Sequence, residues 1–369
     1  MKISLTIRVA AMAALSSAVM AGAANSTARL STTYIAPAAP AKTVPAPARP
    51  THGAIERLSP ELDSLLAPEA HMERLADGFN WSEGPTWLAR EQAVVFSDVP
   101  ENKIYRWSEK DGLSLFLQPS GYSGTEVQFN EQGSNGLTTD RQGKLVLCQH
   151  GDRQIARLGS RSGTDGRFET VVSQVSGRRF NSPNDLCYAR NGNLYFTDPP
   201  YGLAGTDKSP SKELMVNGVY LLRARSSTPV LLTGELTFPN GIALSPDEKT
   251  LYVNVSDPDR PIIVAYTVNA DGSLGRARVF FDAAPLVAKG RKGLPDGLKV
   301  DVRGNLWATG PGGVLVISPE GKHLGTLLTG EATGNCAWGG DGSTLYITAD
   351  MYLLRVKTRT RGYNPFDAH

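Results

Sequence analysis

From about residue 80 onward the chain repeats one short pattern of polar and apolar positions. A polar residue comes first, often followed by Gly. A short stretch of alternating apolar residues follows, then a turn rich in Asp, Gly, Asn or Pro, then a β-branched and aromatic run. The period of two and the bounding turn residues predict two antiparallel strands per copy. The clearest copy runs from Phe238 to Val253. Asn240 opens it, Ile242 and Leu244 alternate, Pro246-Asp247 turns, and Leu251-Tyr252-Val253 supplies the second strand. Five others open at Glu83, Asn135, Asn184, Asp296 and Asn335, giving spacings of 52, 49, 56, 56 and 39 residues. Such a period, with a few strands in each unit, predicts an all-β fold, a six-bladed β-propeller.

The flanks complete this picture. Met72 to Phe79 reads as a strand ahead of the first repeat, placed to pair with the last blade and close the ring. The propeller domain is accordingly set at residues 71–369. Residues 24–70 hold a Pro/Ala tract from Ala36 to Pro50, expected to be an extended spacer, and a short helix over Pro60 to Glu69 started by Ser59-Pro60. Residues 1–23 carry Lys2 and Arg8, an apolar and small-residue run from Val9, and Ala21-Gly22-Ala23. That is the pattern of a cleaved secretory signal and predicts a periplasmic or secreted protein. A retained anchor is the alternative, although the run is short for a membrane span. No span is expected in the mature chain.

Composition narrows the partners. The 38 Gly and 24 Pro suit a turn-rich β protein. The 38 basic and 36 acidic residues are interspersed, with a net charge of +2 and no basic tract interleaved with aromatics, which argues against nucleic acid. A small-molecule substrate remains. Cys148, Cys187 and Cys336 form no Cys-x-x-Cys pair, and each lies in or beside a blade strand. Buried thiols are expected, while spacing alone leaves one bridge open.

In a propeller, equivalent positions face one central tunnel. The six openers would converge at one mouth as a ring of carboxylate and carboxamide oxygens. Such a ring suits a hard cation, Ca²⁺ first, with Mg²⁺, Zn²⁺ or Mn²⁺ as alternatives. Against this stands the fact that Asn-Gly and Asp-Gly are common hairpin turns. Their phase with the repeat, and the Glu at the first copy, favour the ligand reading. Other candidates follow the repeats. His150, in Gln149-His150-Gly151-Asp152-Arg153, can exchange protons near neutral pH. Asp198 and Tyr201 lie on a stiff Pro199-Pro200 turn. Asp259 and Arg260 read as a surface ion pair. There is no Gly-x-Ser-x-Gly elbow, no phosphate loop and no His-Glu-x-x-His.

Taken together, Ser82 to Trp87, Asn181 to Asp185, Phe238 to Ile242 and Leu294 to Leu298 resemble the gluconolactonase family, which includes regucalcin. The stretches His150 to Arg153 and Thr197 to Tyr201 are similar to its secreted bacterial branch. The resemblance covers the domain from Glu83 to about Lys357. It implies a metal-dependent hydrolase that opens a sugar lactone, with one divalent cation on Glu83, Asn240 and Asp296. Asn184 would lie beside the metal and face the substrate, with Asn135 and Tyr201 as further substrate contacts. The cation would polarise the lactone carbonyl. Asp198 and His150 are the candidates for proton transfer, with Asp296 completing the catalytic set. Some members carry Arg where this chain has Ser182, which leaves the lactone unspecified. An esterase or phosphotriesterase of the paraoxonase-like kind, and a non-catalytic binding propeller, are the alternatives.

Overall fold

Each repeat builds the two innermost strands of a four-stranded antiparallel sheet. The computed structural model describes residues 49–125, 129–159 and 168–367. The predicted signal and most of the Pro/Ala tract lie outside these residues. Blade 1 comprises Ser82–Leu88, Ala93–Asp98, Lys103–Ser108 and Gly112–Leu117. Blade 2 comprises Ser134–Thr139, Leu145–Gln149, Gln154–Leu158 and Phe168–Val172. Blade 3 comprises Leu186–Tyr188, Leu194–Asp198, Gly218–Leu222 and Pro229–Thr233. Blade 4 comprises Pro239–Leu244, Thr250–Val255, Ile262–Val268 and Leu274–Asp282. Blade 5 begins with Leu298–Val300, Leu306–Gly310, Gly313–Ile317 and His323–Leu328. Blade 6 begins with Asn335–Gly339, Thr344–Ala349 and Tyr352–Lys357.

The second strand of each blade reads as a near-continuous apolar run because sheets cover both its faces. Every residue of Ala93–Asp98 is buried, whereas Leu274–Asp282 on an outer edge is mostly exposed. The core is correspondingly divided into six layers, one between each pair of neighbouring blades. Phe96 and Trp107 of blade 1 meet Tyr346 and Leu353 of blade 6. Tyr195 and Val219 of blade 3 meet Val253 and Val264 of blade 4.

Met72–Asp77 pairs antiparallel with Tyr352–Lys357 as the fourth strand of blade 6, so the first and last parts of the domain share one sheet. The domain starts earlier than residue 71. Thr51–His52 extends blade 6, and Ala54–Arg57 pairs with His323–Leu328 as a fifth strand of blade 5. These edge strands bind through their backbones, so their sequence carries little apolar pattern. The expected helix is a single 3₁₀ turn, Pro60–Ser64, with Pro60 at its start and Leu62 fully buried against blades 5 and 6. All three cysteines are free thiols. Among the described residues no helix is long and apolar enough to cross a membrane.

Candidate active site

The polar openers are not hairpin turns. Asn135-Gly136 and Asn240-Gly241 lie inside the innermost strands of blades 2 and 4. The ladder is irregular just after the opener, between Glu83 and Thr86, Ser134 and Leu137, and Pro239 and Ile242. Such bulges re-aim a side chain at a strand end. The Gly that follows allows the next blade to approach. A Cβ on Gly84 would stand 2.1 Å from the Asn135 carbonyl oxygen, and one on Gly241 would stand 2.2 Å from that of Asp296.

Neighbouring blades then fix the openers. The Gly136 N–H donates to Asn184 O at 2.8 Å, and the Gly241 N–H donates to Asp296 O at 3.1 Å. The penultimate residue of several second strands adds a side-chain link. Ser97 Oγ donates to Asn135 O at 2.9 Å, and Thr197 Oγ1 donates to Asn240 O at 2.7 Å. Asn254 Nδ2 donates to Asp296 O at 2.5 Å. Ser256 accepts from Asn240 Nδ2 at 3.0 Å and donates to Pro295 O, which ties the Asn240 amide to the residue before Asp296.

The electrostatics of this ring are those of crowded, buried acid groups. Burial pushes Glu83 up to about 8; the Gly84 N–H at 2.7 Å opposes this, and the negative charges of Asp185 and Glu131 add to it. Burial also raises Asp296 well above the usual carboxylate range, with Glu83, Glu131 and Asp185 pushing the same way. Lys299 makes its ion pair with Asp185, at 3.7 Å, and donates to Asn335 Oδ1 at 3.2 Å. Asn335 also donates to Asp185 at 3.4 Å, so this sixth opener is engaged in a structural network. The Asn184 Oδ1 and Tyr201 hydroxyl are buried without a partner.

These observations bring Glu83, Asn240, Asp296 and Tyr201 together. Burial, then the Asp296 charge, raises the Tyr201 phenol, while Asn240 and Ser256 lie within its reach. Tyr201 also stacks on Phe238 at 5.9 Å. Two buried carboxylates and the Asn240 amide, with the orphaned Asn184 oxygen at the next opener, are oxygen donors whose chemistry suits a divalent cation. Among the described residues no three His, Cys, Asp or Glu side chains form a metal-binding group, and this set relies on carboxamides instead.

His150 is fully buried, with Nδ1 3.4 Å from Glu131 Oε2 and Nε2 unpartnered. Glu131 carries no repeat signal, since it lies in the loop between blades 1 and 2, yet its charge acts on Glu83, Asp296 and Tyr201. Asp185 did carry a signal, because it stands where four of the six repeats have Gly. Asp198 has a different surrounding. Its Oδ2 accepts the Asn181 N–H at 2.8 Å, and burial raises it to about 7, with Arg153 and Lys212 opposing. Asp98 does the same in blade 1, accepting the N–H groups of Asn80 and Trp81. Asp198 therefore holds the loop that leads into Asn184, and no hydrogen bond or ion pair joins it to Glu83 or Asp296 among the described residues.

Comparison with known proteins points to one family. The SMP-30/gluconolactonase/LRE-like region matches residues 81–350. A gluconolactonase of Zymomonas mobilis is 39% identical over 324 residues, covering 85% of this chain and 88% of the relative. A 6-deoxy-6-sulfogluconolactonase of Pseudomonas putida is 29% identical, covering 72% and 82%. A solved gluconolactonase from Xanthomonas campestris is 32% identical with a TM-score of 0.71, covering 85% of this chain and 98% of that one.

Proposed function

This chain belongs to the SMP-30/gluconolactonase/LRE-like family and is a lactone hydrolase, and we propose that it opens a sugar lactone with one divalent cation held by Glu83, Asn240 and Asp296 beside Asn184. The observation that carries this reading is the pair of buried carboxylates in different blades. Their burial and mutual repulsion disfavour ionisation unless a cation lies between them. A passive binding platform has no use for such a pair. Oxygen donors favour Ca²⁺.

A bound cation would polarise the lactone carbonyl and offset the negative charge that develops on attack. The chain's own groups would do the rest. His150 Nε2, free of any partner, accepts a proton from the attacking water. Glu131, beside Nδ1, stabilises the imidazolium. The water oxygen bonds to the carbonyl carbon, the ring C–O bond breaks, and the ring oxygen receives the proton back from His150. The product is the open hydroxy acid. Asn184 and the Tyr201 hydroxyl offer hydrogen bonds to the sugar, and Asp198 is a positioning residue for the Asn184 loop.

The test follows glucono-1,5-lactone hydrolysis by proton release, as purified, after chelator, and after each cation is restored. An aryl ester and a phosphotriester run alongside. Lactone turnover lost to chelator and restored by one ion is expected. Glu83→Gln and Asp296→Asn should lose bound cation and activity together. Stoichiometric metal in both variants, or faster turnover of ester than lactone, would overturn the reading.

A further inference from the structure

A large cavity lies away from this site. It measures about 850 Å³ and is walled by the later halves of the innermost strands, among them Leu137, Ile242 and Val300. The openers begin those same strands, so the cavity sits at the opposite end of the tunnel. None of Glu83, Asn184, Asn240, Asp296, His150 or Tyr201 lines it.

The chain builds this cavity deliberately from distant parts. Tyr363–Phe366, near the C-terminus, forms one wall. The Tyr363 N–H donates to Val300 O at 2.9 Å in blade 5, and the Tyr363 hydroxyl donates to Glu248 Oε1 at 3.0 Å in blade 4. The Phe366 ring meets Tyr188 of blade 3 at 5.5 Å, with the Arg141 guanidinium of blade 2 at 5.0 Å from its centre.

The charge of the lining points to a ligand. Arg90, Arg141, Lys144 and Lys299 line the cavity against a single acid, Glu91. Among the described residues Arg90 and Lys144 make no ion pair. The remaining lining is largely aliphatic and aromatic, which suits a flat apolar body and not a polyhydroxylated sugar.

We propose that this cavity is a second binding site, for a small organic anion with a flat apolar body, such as an aromatic carboxylate. Its carboxylate accepts from the basic side chains, and its ring lies against the apolar wall. The inference does not depend on the lactone reading, because none of the proposed cation ligands, His150 or Tyr201 lines the cavity.

The test is calorimetric titration of the purified full chain with 2-naphthoate, and with neutral 2-naphthamide for comparison. One naphthoate per chain is expected, with the amide at least about tenfold weaker. The exposed pair Arg90→Ala/Lys144→Ala should weaken naphthoate by about tenfold, leave the amide unchanged and keep lactone turnover. No saturable binding, equal binding of the amide, undiminished binding by the double variant, or displacement by glucono-1,5-lactone would each overturn the proposal. Lactone turnover in the same samples reports separately on the hydrolytic site.

Discussion

Gly241→Ala tests whether close approach of the blades sets the spacing of Asn240 and Asp296. The Gly241 backbone has no left-handed φ, so Ala can adopt its conformation. The new Cβ would nonetheless stand 2.2 Å from Asp296 O and 2.7 Å from Gly297 Cα. An ordinary carbon–oxygen approach is about 3.3 Å, so blades 4 and 5 must separate by roughly 1 Å at this point. The Gly241 N–H bond to Asp296 O, 3.1 Å long, would stretch with them. Overpacking of this kind costs about 1–3 kcal/mol. A shift of about 1 Å between Asn240 and Asp296 should lower kcat/KM by about a hundredfold. Gly143→Ala is the control. Gly143 has φ +74° with nothing within 4 Å of a Cβ, so Ala there costs about 1–2 kcal/mol in backbone strain alone. Urea unfolding should show comparable losses of stability in the two variants, and initial rates at saturating cation should fall only for Gly241→Ala. Rates for the two variants within about twofold of one another would refute the argument.

Three further outcomes are expected. His150→Gln and Glu131→Gln should each lower kcat, by about 10²–10⁴-fold for the histidine, with the cation retained; full turnover in both would remove them from proton transfer. Asp198 is raised from 3.8 to about 7, so the folded state keeps a proton that the unfolded state releases between those values, and stability falls as pH rises from 3.8 to about 7. Asp198→Asn should therefore melt above the wild type at alkaline pH and lose that advantage near pH 4; an equal difference at both would contradict the sign. Leu62→Ala should destabilise the fold by about 2–5 kcal/mol, read by urea unfolding, with KM unchanged, because the fully buried Leu62 packs on blades 5 and 6 far from the openers.

The period of the repeat made the propeller legible, because a blade cannot be built without its alternating inner strand and turn. The openers were legible for the same reason: one position recurs six times in phase. Their individual tasks were not. Asn335 looks like Asn240 in sequence, yet its amide is held by Asp185 and Lys299. Glu131 was invisible because a loop side chain reaches the ring without any periodic mark. Asp198 looked catalytic at the end of its strand, although the chain contained the comparison that explains it: Ser97-Asp98 and Thr197-Asp198 end equivalent strands, and both carboxylates bind the loop N–H groups before the opener. The early strands at 51–57 were missed because an edge strand that pairs by backbone alone places weak demands on its side chains.

The same comparison explains how the ring is held to size. Ser97, Cys148, Thr197, Asn254, Thr309 and Thr348 are all penultimate in their second strands. Four of them donate to a carbonyl at the opener of the following blade, or, for Thr309, to Gly334 just before it. Between blades 2 and 3, where Cys148 makes no such bond, the Gly136 N–H takes over by donating to Asn184 O. Thr348 instead donates to Asn335 O within its own blade. The carbonyls at the openers of blades 2, 4 and 5 are thus held by the blade before them, and loss of one link, as in Thr197→Val, acts first on Asn240. The strand Met72–Asp77 stands differently, because it joins the beginning of the domain to its end. Without it Glu83 and Asp296 would no longer share a closed ring, and all the openers would lose their spacing together.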